Sequence, residues 1–246
     1  MSEPATTTGG TDEVLLELNN VRRAFAIGEA PPVSVLRGVD LVVRTSDAVA
    51  ITGPSGSGKS TLLNIAGGLD RPDSGSVTFS GTDLATATDR EVAHIRNHGI
   101  GFVFQLHHLL PYCTVMENVL LPTLAQGSLA PDRRAECARR AAELLERVGL
   151  THRSTHLPGQ ISVGERQRAA VARALINSPR LLLADEPTGS LDRDNSAKLV
   201  EMLMEVTEQF GLGMVMVTHS REHASRLPVR LELRDGILNP TDTTSV

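Results

Sequence analysis

The sequence predicts an α/β protein in which a mostly parallel sheet carries helices on both faces and is joined to an antiparallel β unit and an inserted helical lobe. Three observations predict it. Apolar strand-like runs alternate with helical periodicity along most of the chain, as crossover connections require. A glycine-rich turn, GPSGSGKS, joins one such strand to one such helix. From about residue 106 to residue 160 the alternation stops and only helical patterning remains.

Taken in order, the first 13 residues are polar and low in apolar content, and a disordered tail is expected there. VLLELNNV and VLRGVDLVVR, separated by Pro31-Pro32, read as antiparallel strands. AVAITG is a buried strand that runs through the glycine-rich turn into the helical pattern KSTLLNIAGGL. SGSVTFSG and HGIGFVFQ are two further short strands. PYCTVMENVLLPTLA and DRRAECARRAAELLERVGL then show helical periodicity. Alternation resumes with a helix from Ser162 to Asn177, the strand RLLLAD, a helix from Ser196 to Phe210 and the strand GMVMVTH. RLELRDGIL carries an Asp-Gly turn between apolar runs, a hairpin signal. One domain over residues 14–240 is expected, its core formed by 14–105 and 161–240, its helical lobe by about 106–160, with a second tail at 241–246.

The 246 residues are 40% hydrophobic and 22% charged, ordinary for a globular chain. A net charge of −5 and an aromatic content of 2%, with no Trp, argue against a nucleic-acid partner. Cys113 and Cys137 are too few for a disulfide framework or a cysteine metal site. No apolar run reaches the roughly 18 residues needed to cross a bilayer, so work at a membrane would need another chain to span it. His94 and His98, His152 and His156, and the adjacent His107 and His108 lack the further ligands that a metal site needs, and read as surface or packing residues.

GPSGSGKS, Gly53 to Ser60, fits G-x-x-x-x-G-K-[ST] at every fixed position, with a strand before it and a helix after it. In such a loop the backbone amides around Ser55, Gly56, Ser57 and Gly58 point inward to phosphate oxygens. Lys59 brings charge to the β and γ phosphates, and Ser60, followed by Thr61, offers a hydroxyl to Mg²⁺. This makes the core one of P-loop NTPase (RecA-like) type, with ATP and Mg²⁺ as its ligands. RLLLADE is an apolar strand that would deliver Asp185 to the same sheet edge as a second support for Mg²⁺. Glu186, one residue on, is placed to accept a proton from an attacking water. His219, at the end of GMVMVTH, reaches that edge too.

QISVGERQR, residues 160–168, poses a separate question. Ser162 and Glu165 have the spacing of a capping box, which predicts a helix start. Gly164 falls in the first turn, where glycine costs roughly 0.5–1 kcal/mol against alanine and is kept for close approach to the backbone. A phosphate suits a helix start with free amides. Val163, with a branched side chain directed toward that start, is expected to crowd it.

These motifs together resemble the ATP-binding subunits of ABC transporters, over nearly the whole chain beyond the tail. ISVGERQR stands where that family has its signature, Gln105 where it has its Q-loop glutamine, SLD at Ser190 to Asp192 where it has its D-loop, and His219 where it has its switch histidine. Phe25 matches the aromatic residue that stacks on adenine. Within the family, QLHHLLPYCTVMENVLLP, ADEPTGSLD and RLELRDGIL are most similar to the lipoprotein-releasing ATPases, and next to the macrolide-exporter and FtsE-type ATPases.

The resemblance implies a homodimer closed head to tail on ATP. Ser162, Gly164 and Asp192 of one copy would face nucleotide held by the other, and Gln105 would join Ser60 and Asp185 at Mg²⁺. It also implies integral-membrane permease subunits as partners, a place on the cytoplasmic face of the inner membrane, and lipoprotein as cargo. Val163 departs from the family's glycine, and one lost charge-assisted hydrogen bond would cost roughly 1.5–3 kcal/mol of closure. Two other readings stand beside the transporter motor. One is a soluble ATPase working on nucleic acid or ribosomes, whose second nucleotide domain or long coiled coil this chain lacks. The other is a regulator whose hydrolysis is weakened by Val163, against which the intact Lys59, Asp185, Glu186 and His219 speak. Leu109, Leu110, Val115, Met116 and Val119 are divided by the sequence neither to the lobe's core nor to a groove for the permease. Arg133, Arg134, Arg139 and Arg140 read as a solvated helix face.

Overall fold

The computed structural model describes residues 13–28, 30–125 and 130–241. Of the expected tails, residues 1–12 and 242–246 lie outside the described residues. Glu13 is tied down: its carbonyl accepts from Thr45 N at 3.0 Å and its carboxylate pairs with Arg180.

Two sheets form the scaffold. Strands β1 (Val14–Ile27), β2 (Ala30–Arg44), β4 (Ser74–Phe79) and β5 (Thr82–Asp83) make an antiparallel sheet in the order β2-β1-β4-β5. Strands β3 (Ala48–Thr52), β6 (Ile100–Phe104), β7 (Leu181–Asp185), β8 (Gly213–Val217), β9 (Val229–Arg234) and β10 (Ile237–Pro240) make the second, in the order β10-β9-β3-β8-β7-β6. All its neighbours run parallel except β10, which returns antiparallel on β9. That return is the predicted hairpin: Asp235 and Gly236 both have positive φ, 51° and 77°, the signature of a type I′ turn.

The central parallel strands β3, β7 and β8 are almost wholly apolar because both faces are covered, whereas β9 alternates apolar with charged residues. Leu181, Leu183, Val215, Val217, Val49 and Ile51 pack into one core with the antiparallel sheet and helix α1 (Lys59–Ala66). The intervening Leu182, Ala184, Met214, Met216 and Ala50 pack into the other core, with α3 (Val115–Leu124), α4 (Pro131–Arg147), α5 (Val163–Leu175) and α6 (Arg193–Phe210). The period of two thus shares each strand between two cores, and its carboxyl end is left as the place where polar loops emerge.

The segment without strand patterning holds α3 and α4, and its apolar residues divide. Val115 and Val119 are fully buried in the core, with Leu109 and Met116 packed on it, whereas Leu106, Leu110 and Tyr112 are exposed. The arginine run divides too. Arg133 and Arg134 are solvated and Arg139 pairs with Glu143 at 2.9 Å. Arg140 departs from the expected solvated face, because its Nε and Nη2 donate to the Ile176 and Leu175 carbonyls at the end of α5 (2.8 and 3.1 Å) and so satisfy orphan acceptors there.

Sequence reading assigns no helix to α2 (Asp89–Gly99), which buries only Val92 and so has a faint apolar period. Its capping box, Thr88 with Glu91, is the available signal. Helix α6 begins three residues before the expected Ser196, because Asp192 caps it: Oδ1 accepts from Asn195 N at 2.9 Å.

Candidate functional site

The register Phe104↔Asp185↔Val217 aligns the ends of β6, β7 and β8, and Ile51↔Val217 brings the end of β3 to the same edge. Those four strand ends lead into Gln105, Glu186, His219 and the loop Gly53 to Gly58. The loop can turn this tightly only with glycine at its ends. A Cβ on Gly53 (φ 153°) would collide with the Leu233 carbonyl, and one on Gly58 (φ 100°) would come within 2.7 Å of Val35 Cγ1.

Lys59 is 8% exposed, and its ammonium donates to the Gly53 and Pro54 carbonyls at 2.9 and 3.0 Å. It has no carboxylate within ion-pair distance among the described residues, and it acts on Asp185 only through space. Ser57 Oγ is buried beside Gly53 without a hydrogen-bond partner. An unsatisfied hydroxyl and an ammonium without a direct ion pair, both at one tight glycine-rich turn, fit a triphosphate. Ser55 and Gly56 are exposed at the loop's rim, and Thr61 is half-buried behind Ser60.

Ser60 Oγ donates to Asp185 Oδ1 at 3.1 Å, which joins the loop to β7 across the width of β8. Burial pushes the Asp185 carboxyl above its ordinary value, the Ser60 bond opposes this, and the Glu186 charge adds to the rise. A hydroxyl hydrogen-bonded to a buried carboxylate that a neighbouring carboxylate repels suits a divalent cation, which would relieve both burial and repulsion.

Glu186 adopts φ 44°, unusual for a side-chain-bearing residue. Its amide donates to Val217 O at 3.0 Å, which locks the turn. Its Oε2 accepts from His219 N at 3.2 Å and pairs with His219 Nδ1 at 2.9 Å. Oε1 has no hydrogen bond among the described residues, so this oxygen is left for a ligand. Gln105 lies exposed against Gly189, where a Cβ would come within 2.7 Å of its Nε2. Its side chain makes no hydrogen bond to Ser60 or Asp185 among the described residues. Phe25, 38% exposed, pairs with Val33 two residues before the Val35 that touches Gly58, on the same flank as the loop.

A second constellation surrounds the start of α5. The capping box is formed: Ser162 Oγ accepts from Glu165 N at 3.2 Å, and Glu165 Oε2 accepts from Ser162 N at 2.7 Å. Arg153 Nε donates to Glu165 Oε1 at 3.0 Å. These donors, with the Ser162 amide first, hold the Glu165 carboxyl down at about 2. A Cβ on Gly164 would meet nothing nearer than Asn195 at 3.8 Å, so nothing in this chain requires glycine there. Leu191 and Asn195 bring Asp192 beside Gly164, though the Asp192 carboxylate is engaged by Asn195 N and Nδ2. Among the described residues, no hydrogen bond links Ser162 or Gly164 to the phosphate loop. The predicted site residues therefore fall into two groups, one around Lys59 and one around Ser162.

Sequence reading misses the residues that connect them. Gln167, fully buried on α5, donates to Phe104 O at 3.0 Å, and Arg173 donates to the carbonyls of His107 and His108 at 2.6 and 2.7 Å. A glutamine on the alanine-rich buried face of α5 is the signal that could have found them.

Residues 36–189 match the model of the ABC transporter family. The chain belongs to that family. The lipoprotein-releasing system ATP-binding protein LolD of Alcanivorax borkumensis is 48% identical, with 91% of this chain and 96% of that protein covered. The pyoverdine export ATP-binding/permease protein PvdT of Pseudomonas fluorescens is 45% identical over 94% of this chain and 34% of its own length. Among solved structures, the dimeric ABC cassette MJ0796 in a post-hydrolysis state bound to ADP and Pi superposes with a TM-score of 0.82 at 38% identity, covering 91% of this chain and 96% of that one. Membership in the ABC transporter family agrees with the architecture read from the sequence. Among the described residues no helix is long and apolar enough to cross a membrane.

Proposed function

We propose that this chain is the ATP-hydrolysing subunit of a lipoprotein-releasing transporter, working as a homodimer with integral-membrane permease subunits at the cytoplasmic face of the inner membrane. The observation that carries the ATPase reading is the linked set Ser60–Asp185 and Glu186–His219 at the mouth of the phosphate loop. The lipoprotein cargo is supported by the names and coverage of the LolD relatives.

In this reading Lys59 and the loop amides grip the β and γ phosphates of ATP, and Phe25 stacks on the adenine. Ser60 and Asp185, with Gln105 closing on them, hold Mg²⁺. A Mg²⁺ ion held by these residues would supply positive charge to offset the charge of the phosphates. Glu186 Oε1 accepts the proton of the attacking water, while His219 holds Oε2 and thereby aims the carboxylate. Ser162 and Gly164 present the start of α5 to the γ-phosphate held by the second copy, which explains a glycine that this chain's own packing does not need.

A groove of about 450 Å³ between α2, β6 and α3 is lined by Leu69, Phe102, Phe104 and Pro122 together with Arg96 and Asn97, and Leu106 and Tyr112 are exposed on the segment after β6. This groove receives the permease. The fused ATP-binding/permease relative supports such a pairing, since this chain covers only its ATP-binding share.

Two measurements test the proposal. Glu186→Gln is expected to lower ATP turnover about 10²- to 10⁴-fold with ATP binding retained, and equal turnover would remove the general-base role. Tagged protein extracted in detergent is expected to carry a membrane permease with it, and its recovery alone from intact membranes would remove the motor reading.

A further inference from the structure

Arg22 pairs with Ser74, and beyond it, among the described residues, no strand pairs with β1 on its β4 side. Asp73 takes over there: its Oδ2 accepts the Ala24 amide at 2.6 Å and its Oδ1 accepts Arg23 Nη1 at 2.7 Å. Asp70 holds the other terminal nitrogen at 3.0 Å. Both carboxylates lie on the segment between α1 and β4, so two acids that follow the helix begun by the phosphate loop pin one arginine of β1. The bonds to Ala24 and Arg23 hold the Asp73 carboxyl below its ordinary value, and Asp73 in turn raises the Arg23 guanidinium. The pinned guanidinium carbon sits over the ring of Phe25, 4.8 Å from its centroid.

Phe25 is thus a partly exposed aromatic with one face covered by a fixed cation. Only the opposite face is left to stack on a planar group. A guanidinium also draws on the ring's electron density, which favours an electron-rich partner on the far side. Fixing the ring in advance removes part of the ordering cost of binding.

We infer that Arg23, held by Asp70 and Asp73, is a positioning residue for the nucleotide base, acting through Phe25 in a layered Arg23–Phe25–adenine stack. The inference rests on the proposed stacking of Phe25 on adenine. It adds a requirement that the ring alone does not meet: the two carboxylates must hold the cation in place.

The test is calorimetric titration of the full chain with two probes, Mg-ATP and Mg-tripolyphosphate, which carries the phosphates without a base. Arg23→Ala is expected to weaken ATP binding about 3- to 10-fold and to leave tripolyphosphate binding unchanged. Arg23→Lys keeps a charge for Asp73 but loses the planar stack, so it is expected to recover less than half of the loss. In a Phe25→Ala background, replacing Arg23 is expected to have no further effect. Equal weakening toward both probes, or the same loss with and without Phe25, overturns the inference. If Arg23→Ala does not fold, the Arg23→Lys comparison decides on the same two probes. An unaffected Phe25→Ala overturns the adenine reading itself and this inference with it. An affected Phe25→Ala beside an indifferent Arg23→Ala overturns only the backing role.

Discussion

Replacing Glu165 by Gln isolates the charge that organises the start of α5. Glutamine can still accept from Ser162 N, so the capping box survives while the carboxylate is lost. The bond from Ser162 N at 2.7 Å becomes a neutral one, and the bond from Arg153 Nε at 3.0 Å to the other oxygen is lost, because the amide NH2 that replaces this oxygen cannot accept. Charge-assisted bonds contribute about 1.5–3 kcal/mol and neutral ones about 0.5–1.5, so the pair predicts a loss near 2 kcal/mol. The depressed acidity gives an independent figure. A fall from 4.5 to about 2 corresponds to at most about 3 kcal/mol, and partial solvent screening reduces this to about 1–2.

The sign comes from linkage. A carboxyl with a lowered folded-state value contributes stability that is full above its unfolded value of 4.5 and is lost as pH falls toward 2. Urea denaturation should therefore show Glu165→Gln less stable by about 1–2 kcal/mol at pH 7, with the difference roughly halved at pH 3. Equal midpoints at pH 7, or a difference that does not shrink in acid, would refute the charge argument.

Two further predictions concern the same helix. Val163→Gly is expected to strengthen ATP-driven dimerisation about 10- to 150-fold, the equivalent of one recovered bond to phosphate. Sedimentation in a Glu186→Gln background reads this, and equal dimerisation in the assembled complex would show that valine does not crowd the phosphate. Arg140→Ala strips both donors from the last carbonyls of α5 and is expected to cost about 1–3 kcal/mol in thermal or urea unfolding, whereas Arg133→Ala on the solvated face should cost under about 0.5.

The features legible in the sequence obey local rules. The strands of the parallel sheet show as short apolar runs because both faces are buried, and GPSGSGKS shows because a phosphate cradle needs glycine at fixed steps. The capping box at Ser162 is readable for the same reason, since its two bonds close within four residues. Helix α2 is hidden by its polarity, and the early start of α6 by a cap, Asp192, whose place in the SLD motif marks it as a ligand instead. Contacts made across long separations leave little trace. Arg23 meets Asp70 and Asp73 some fifty residues on, and Arg140 meets the end of α5 more than thirty residues on. Neither pairing has a periodic or motif signal, and only the fold brings the partners together.

The division of the site is itself the deepest functional statement the fold makes. Lys59, Ser60, Asp185, Glu186 and His219 gather at the ends of β3, β7 and β8, where register alone places them. Ser162 and Gly164 sit at the head of another helix, where Glu165 takes the Ser162 amide and a Cβ on Gly164 would meet nothing nearer than Asn195 at 3.8 Å. Gln167 and Arg173 tie that helix to the segment after β6, so Gln105 of one group rides on the element that carries the other. Among the described residues, no hydrogen bond joins Ser162 or Gly164 to the loop at Lys59, so a triphosphate bound there would lie apart from the α5 group of the same copy. In the homodimer proposed above, a second copy would bring its α5 to that triphosphate, and motion of α5 on contact with the partner's phosphate would be passed through Gln167 and Arg173 to the segment that carries Gln105.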